Sequence, residues 1–283
     1  MKRQFIITFL ILLALFGSII VVRFKHQPIS DSESVQSSPA ITPTATPTPT
    51  PRPLTFAEMN TLYGPCVYVP TLMYHHIQDL ETAKAKNQSN LTVSPDNFRQ
   101  HLEYLQNRGY TTVSMQELVN FFDSGAPLPA KPVLITFDDG YADFAQQALP
   151  LLNQFQAKTT LFLATGLTNN PDYLSWDQIA SFPSNLILVS NHTWSHHNTN
   201  TSQEKVTQEI TTADVQLEER GLNSPKVFSY PYGLVGSTSQ GILQANGYLL
   251  AFTTMPGSTL CQKQRLTLPR IRIGNSSLDN YGL

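Results

Sequence analysis

From Val69 onward the sequence predicts an α/β fold with a mainly parallel sheet, closed as a barrel or left open. Three observations carry this. Strand and helix signals alternate along the chain. Val133 to Phe137 is a continuous β-branched and aromatic run, the pattern of a strand buried on both faces. The intervening helix signals come with start and stop chemistry, such as Ser94-Pro95 before Phe98, Leu102 and Leu105, with Gly109 closing. In either architecture, functional side chains gather at the C-terminal ends of the strands.

In chain order, Phe5 to Val22 is an uncharged apolar run, with Lys2 and Arg3 before it and Arg23 and Lys25 after it. It sits at the short end of what crosses a bilayer, where about 20 residues are usual. Gly17-Ser18 is followed by bulky Ile and Val rather than a small-residue cleavage site, so residues 1–25 are expected to be an uncleaved transmembrane helix rather than a removed secretion signal. The short N-terminus is expected inside and the bulk of the protein outside, membrane-anchored or, if cleavage occurs, secreted. Residues 26–65 read as a linker, in which Pro28 to Pro53 is rich in Ser, Thr and Pro and ends in T-P-T-A-T-P-T-P-T-P-R-P. Such a stretch buries too little apolar surface to offset its ordering entropy, and its prolines make it a semi-rigid spacer.

Residues 66–283 are expected to form the folded domain. Cys66 and Cys261, near its two ends, are either a disulfide or two buried thiols. Expected strands are Val69–Tyr74, Thr111–Val113, Val133–Phe137, Thr159–Ala164, Leu186–Ser190, Val227–Ser229, Leu249–Thr253 and Ile271–Ile273. Between them, helices are expected over Met115–Phe122, Phe144–Phe155, Trp176–Phe182 and within 238–246. Thr201-x-x-Glu204 reads as a capping box for a further helix with the stripe Val206, Ile210, Ala213, Leu217, stopping at Gly221. A net charge of −2 over 283 residues argues against nucleic acid as the partner.

The strand ends carry the chemistry. Val133–Phe137 runs into Asp138-Asp139-Gly140, and two adjacent carboxylates at the mouth of a core cannot both stay ionised and unpaired, so one needs a cation. On its own, an Asp-Gly pair is equally an ordinary turn. Leu186–Ser190 ends in N-H-T-W-S-H-H-N, where His192 and His196, four apart, would share one face of a helical turn and take adjacent positions on a metal. With Asp139 they would make a two-histidine, one-carboxylate site with open positions. His197 is expected to point elsewhere. Val69–Tyr74 ends in His75 and His76, either of which would suit a general acid or merely cap the strand. Tyr230-Pro231-Tyr232-Gly233 offers backbone N–H groups for an oxyanion hole and Tyr232 for a sugar groove, and is otherwise a plain proline turn.

T-F-D-D-G at 136–140, H-T-x-x-H at 192–196 and Y-P-Y-G at 230–233 together resemble the polysaccharide deacetylases, carbohydrate esterase family 4, with the NodB-homology domain. The resemblance implies a distorted (β/α) barrel over roughly Val69 to Gly274 and metal-dependent removal of N-acetyl groups from an amino-sugar polymer. Carried over, Asp138 is the general base, Asp139, His192 and His196 hold the metal, and the Tyr232 N–H lines the oxyanion hole. A divalent metal is implied, Zn²⁺ or another first-row ion. Trp194, inside the H-T-x-x-H segment, is placed with the substrate-contacting residues. The usual Leu-x-His ending is missing, since no histidine follows His197. P-T-L-M-Y-H-H at 70–76 resembles instead the circularly rearranged poly-N-acetylglucosamine deacetylases, which makes His75 the acid, with His76 behind it. The usual arginine before the Pro-Tyr loop is also missing, so Arg270 of L-P-R-I-R-I is expected to steady Asp138. Asp177 of L-S-W-D-Q is assigned support too, although that segment could equally be a helix start.

The resemblance implies a hydrolase acting on poly-N-acetylglucosamine, peptidoglycan or a chitin-like polymer, and the chain is expected to be extracellular and monomeric. A metal-dependent amidase on a non-carbohydrate amide and a non-catalytic wall-binding module are the alternatives.

Overall fold

Alternation along one strand shows why this chain closes into a barrel. All six residues of β2 (Pro132–Phe137) are buried. Val133, Ile135 and Phe137 join an outer apolar layer with Phe98, Leu102 and Leu105, while Leu134 packs in a separate cluster with Phe162, Val227, Leu250, Phe252 and Leu268. A strand buried on both faces belongs to a parallel sheet covered on each side, and the ring of pairings below makes one of those sides a closed interior.

The computed structural model describes residues 52–283. The remaining strands are β1 (Thr71–Tyr74), β3 (Thr159–Leu163), β4 (Ile187–Asn191), β5 (Val227–Ser229), β6 (Leu250–Pro256) and β7 (Leu268–Arg272). They follow one another around the ring in chain order, every pairing is parallel, and β7 pairs with β1 to close it. Thr111–Thr112 adds a short parallel strand beside the start of β2.

Helices are α1 (Phe56–Tyr63), α2 (Leu80–Ala85), α3 (Pro95–Asn107), α4 (Met115–Ser124), α5 (Leu149–Gln154), α6 (Trp176–Ala180), α7 (Gln203–Glu218) and α8 (Ser239–Ala245). Two differ from expectation in their starts. The cap of α7 is Ser202, whose hydroxyl accepts from the Lys205 N–H at 3.4 Å, one residue later than the expected Thr201–Glu204 box. The helix expected over 144–155 opens as a π-turn, Phe144–Ala148, before α5. Pro150 has no N–H to give an α-type bond there, which favours the wider turn.

Helix α1 falls within the stretch read as linker. A strand at Cys66–Tyr68 follows it and pairs antiparallel with Thr259–Cys261, and there Cys66 and Cys261 are joined by a disulfide across 195 residues of chain. Closing a loop of that length stabilises the fold by about 5 kcal/mol in the chain-entropy description. The apolar run Phe5–Val22 and the Ser/Thr/Pro stretch up to Pro51 lie outside the described residues. Among the described residues no helix is long and apolar enough to cross a membrane.

Candidate active site

Period-2 alternation carries the inner face of β2 from Leu134 through Thr136 to Asp138 at the strand's C-terminal end. There the chain reverses in three residues, closed by a Gly140 N–H to Asp138 O hydrogen bond of 3.0 Å. Asp139 has φ 75° and Gly140 φ 84°. A Cβ on Gly140 would stand 2.3 Å from Leu163 Cδ1, and at this positive φ any side chain is strained. The left-handed Asp139 costs of order 1–3 kcal/mol, a strain the surroundings must hold.

Arg270, fully buried on β7, faces Asp138. Its Nη1 donates to Asp138 Oδ1 at 2.7 Å and its Nη2 to Oδ2 at 2.6 Å. The remaining N–H groups go to Thr136 Oγ1, Ser229 Oγ and Thr253 O, so all five guanidinium donors are used. Ser229 Oγ in turn donates to Asp138 Oδ2 at 3.2 Å. Burial alone would raise the Asp138 pKa, but the Arg270 charge, helped by His192, outweighs it and holds the carboxyl below its usual range. Arg270 is thus paired with Asp138 through both of its terminal nitrogens.

Asp139 faces the other way. Its Oδ1 lies 3.2 Å from His192 Nε2 and 3.1 Å from His196 Nε2, and it has no hydrogen-bond partner among the described residues. One ligand atom from each of these three residues lies within 4.8 Å of the other two. His192 donates from Nδ1 to Ser229 O at 2.7 Å, a bond that leaves the Nε2 lone pair free for a ligand. Two imidazole nitrogens converging on an orphaned buried carboxylate oxygen fit a cation, and the three-atom donor set suits Zn²⁺ or another first-row ion.

The helical turn expected at 192–196 is not there. Those residues form an irregular loop in which Thr193 and His196 have φ 66° and 57°. Left-handed backbone at these two positions, rather than helical spacing, brings the rings to a centroid distance of 5.0 Å.

His75 and His76, adjacent at the end of β1, have different surroundings. His75 is buried, and that burial pushes its pKa down to about 4 against the opposing charges of Asp138 and Asp139. His76 is occupied elsewhere, with Nδ1 2.5 Å from Asp143 Oδ2 and its ring stacked on Tyr141 at 3.7 Å. His197 bonds to Asn198 O, outside the cluster. Tyr232, 63 % exposed, packs edge-on against the His196 ring at 4.7 Å with φ 59°. It is the second residue of a 3₁₀ turn, where a backbone N–H has no intrahelical acceptor.

Two expected residues take other positions. Trp194 is half-buried, with its indole Nε1 against Gly166, and its backbone O accepts from the Gly166 N–H at 2.6 Å. Asp177 is exposed in the first turn of α6, where a carboxylate complements the helix N-terminus, and it makes no hydrogen bond or ion pair with the site. Its segment is the helix start packed on the barrel. Trp176 beside it stacks under Arg220 at 4.1 Å.

Ser229 was not foreseen. Its hydroxyl joins Asp138 to Arg270 while its carbonyl orients His192, so one residue touches both halves of the site. A serine ending a three-residue strand carries no pattern that marks it. Its only signal was its place in F-S-Y-P-Y-G, where the missing arginine was expected.

A family model described as polysaccharide deacetylase matches residues 125–251. The Streptococcus pyogenes deacetylase PplD, solved in complex with acetate, is 30 % identical with a TM-score of 0.70, and the alignment covers 76 % of this chain and 96 % of that one. A putative polysaccharide deacetylase, YxkH of Bacillus subtilis (strain 168), is 26 % identical over 206 residues, 72 % of this chain and 71 % of the relative. The poly-beta-1,6-N-acetyl-D-glucosamine N-deacetylase of Escherichia coli (strain K12) is 24 % identical over 250 residues, 72 % of this chain and 36 % of that longer protein. The structure of IcaB from Ammonifex degensii, 24 % identical, shares the fold with a TM-score of 0.64 over 76 % of this chain and 94 % of that one.

Proposed function

Because the chain belongs to the polysaccharide deacetylase family, we propose that it is a metal-dependent N-deacetylase of an extracytoplasmic amino-sugar polymer of the poly-N-acetylglucosamine type. The observation that carries the reading is the split of Asp138 and Asp139 between a guanidinium and a pair of imidazoles at one barrel mouth. The curated relative that acts on poly-beta-1,6-N-acetyl-D-glucosamine supports the polymer class. The Cys66–Cys261 disulfide supports an oxidising, extracytoplasmic setting, with residues 1–25 as the anchor.

Asp139, His192 and His196 would hold the ion. When bound, a divalent cation supplies Lewis acidity, polarising the acetamide carbonyl and easing deprotonation of water. Asp138, charged and fixed by Arg270 and Ser229, takes a proton from the attacking water. The Tyr232 N–H faces the oxygen on which negative charge develops. His75, neutral at rest, receives a proton within the cycle from Asp138 and passes it to the departing amine, leaving acetate and a free glucosamine unit.

Acetate release from poly-β-1,6-N-acetylglucosamine, chito-oligomers and peptidoglycan, with and without chelator, tests the reading. Chelator-sensitive release, strongest on poly-N-acetylglucosamine, is expected. No release from any of the three by metal-supplemented protein would contradict it.

A further inference from the structure

We propose that Glu209 is a positioning residue for the metal centre, holding His196 from behind through Ser195. Glu209 lies inside α7, and its carboxylate is almost fully buried. Its Oε2 accepts from the Ser195 backbone N–H at 2.8 Å and its Oε1 from the Ser195 hydroxyl at 2.7 Å. Its backbone O accepts from the Trp194 N–H at 3.0 Å. Lys205, one turn earlier on the same helix, places Nζ 2.8 Å from Oε1 and supplies the countercharge a buried carboxylate requires.

These bonds fall on the two residues immediately before His196. That stretch needs holding, because Thr193 and His196 both sit in left-handed backbone, each costing of order 1–3 kcal/mol and persisting only where the surroundings over-determine it. On the other side the loop is tied to the turn after β3, where Gly166 N–H donates to Trp194 O and Thr165 N–H to Thr193 O. His192 is oriented by Ser229, whereas among the described residues Nε2 is the one ring nitrogen of His196 with a close polar neighbour, Asp139. The position of His196 is therefore set in large part through its backbone, which Glu209 holds from the α7 side.

The proposal rests on reading Asp139, His192 and His196 as ligands, and its test separates the two. The full-length chain, Glu209→Gln and Ser195→Ala are titrated with Co²⁺ and with Zn²⁺ against a chromophoric chelator, the Co²⁺ absorption spectrum is recorded, and thermal stability is measured in chelator. A glutamine of the same size turns an NH₂ toward one of the two Ser195 donors. Removing such supporting bonds typically weakens metal affinity about 10- to 100-fold. Glu209→Gln is expected to show that loss with an altered Co²⁺ spectrum, and Ser195→Ala a smaller loss in the same direction at near wild-type stability. Unchanged affinity and spectrum in Glu209→Gln would overturn the proposal while leaving the metal site intact. Should Glu209→Gln fail to fold, Ser195→Ala decides, and wild-type affinity in that variant overturns it. If the wild-type chain takes up neither ion, the ligand assignment falls and this proposal with it.

Discussion

Asp138 and Asp139 are neighbours in the chain, yet they meet two opposite electrostatic solutions. Asp138 is closed within the protein, since Arg270 and Ser229 satisfy it and the guanidinium has no donor left over. Asp139 is open, with its Oδ1 facing two imidazole nitrogens and without a hydrogen-bond partner among the described residues. A buried carboxylate needs a cation in either case. In the proposed reading one half of the site draws its cation from the fold and the other from solution, so that a single Asp-Asp step would provide both a fixed base and a ligand.

The strongest way to break this comparison is through His75, which lies in the field of both carboxylates. His75→Gln is expected to lower kcat for acetate release by about 10²- to 10⁴-fold, the usual worth of a proton-transfer group. His76→Gln, whose loss disturbs only the Asp143 pair and the Tyr141 stack, should leave kcat close to wild type. A reversed pattern would move the acid to His76.

Next in size is the closed half. Arg270→Met leaves Asp138 buried without its partner and is expected to cost about 3–5 kcal/mol in urea unfolding. Adding Asp138→Asn removes the stranded charge and should recover a large part of that loss. Equal stability of Arg270→Met and wild type would mean that the pair does not close this half.

A smaller effect comes from pH. His75 has a folded pKa of about 4 against an ordinary 6.5, so the native state favours its neutral form. As pH falls below 6.5 the unfolded chain takes up a proton that the native chain refuses. Stability from this group is therefore full above 6.5 and lost progressively down to 4, by about 3 kcal/mol. The difference in unfolding free energy between wild type and His75→Gln should therefore move by about 3 kcal/mol against the wild type as pH falls from 6.5 to 4, and stay constant above 6.5.

Much of this site was legible because it lies where strand patterns end. The run Val133–Phe137 announced a doubly buried strand, and Asp138, Asp139, His192 and His196 then stood out by residue type. The barrel's closure was less visible, because it depends on β7 meeting β1 across the whole domain. Backbone conformation was hidden too. A four-residue spacing suggested a helical turn, whereas the left-handed Thr193 and His196 are held by contacts from other elements. Short strands such as Cys66–Tyr68 and His76–Ile77 hold too few residues to show a period, and Asp177 was misread because a helix N-terminus and a site both favour a carboxylate.

The central claim is that the two carboxylates have different cations, and metal content measured in Asp138→Asn and Asp139→Asn beside acetate release tests it most directly. Asp138→Asn should retain wild-type metal occupancy with acetate release nearly abolished, whereas Asp139→Asn should lose the metal and the activity together. An Asp138→Asn protein that loses its metal, or one that still releases acetate at the wild-type rate, would contradict it.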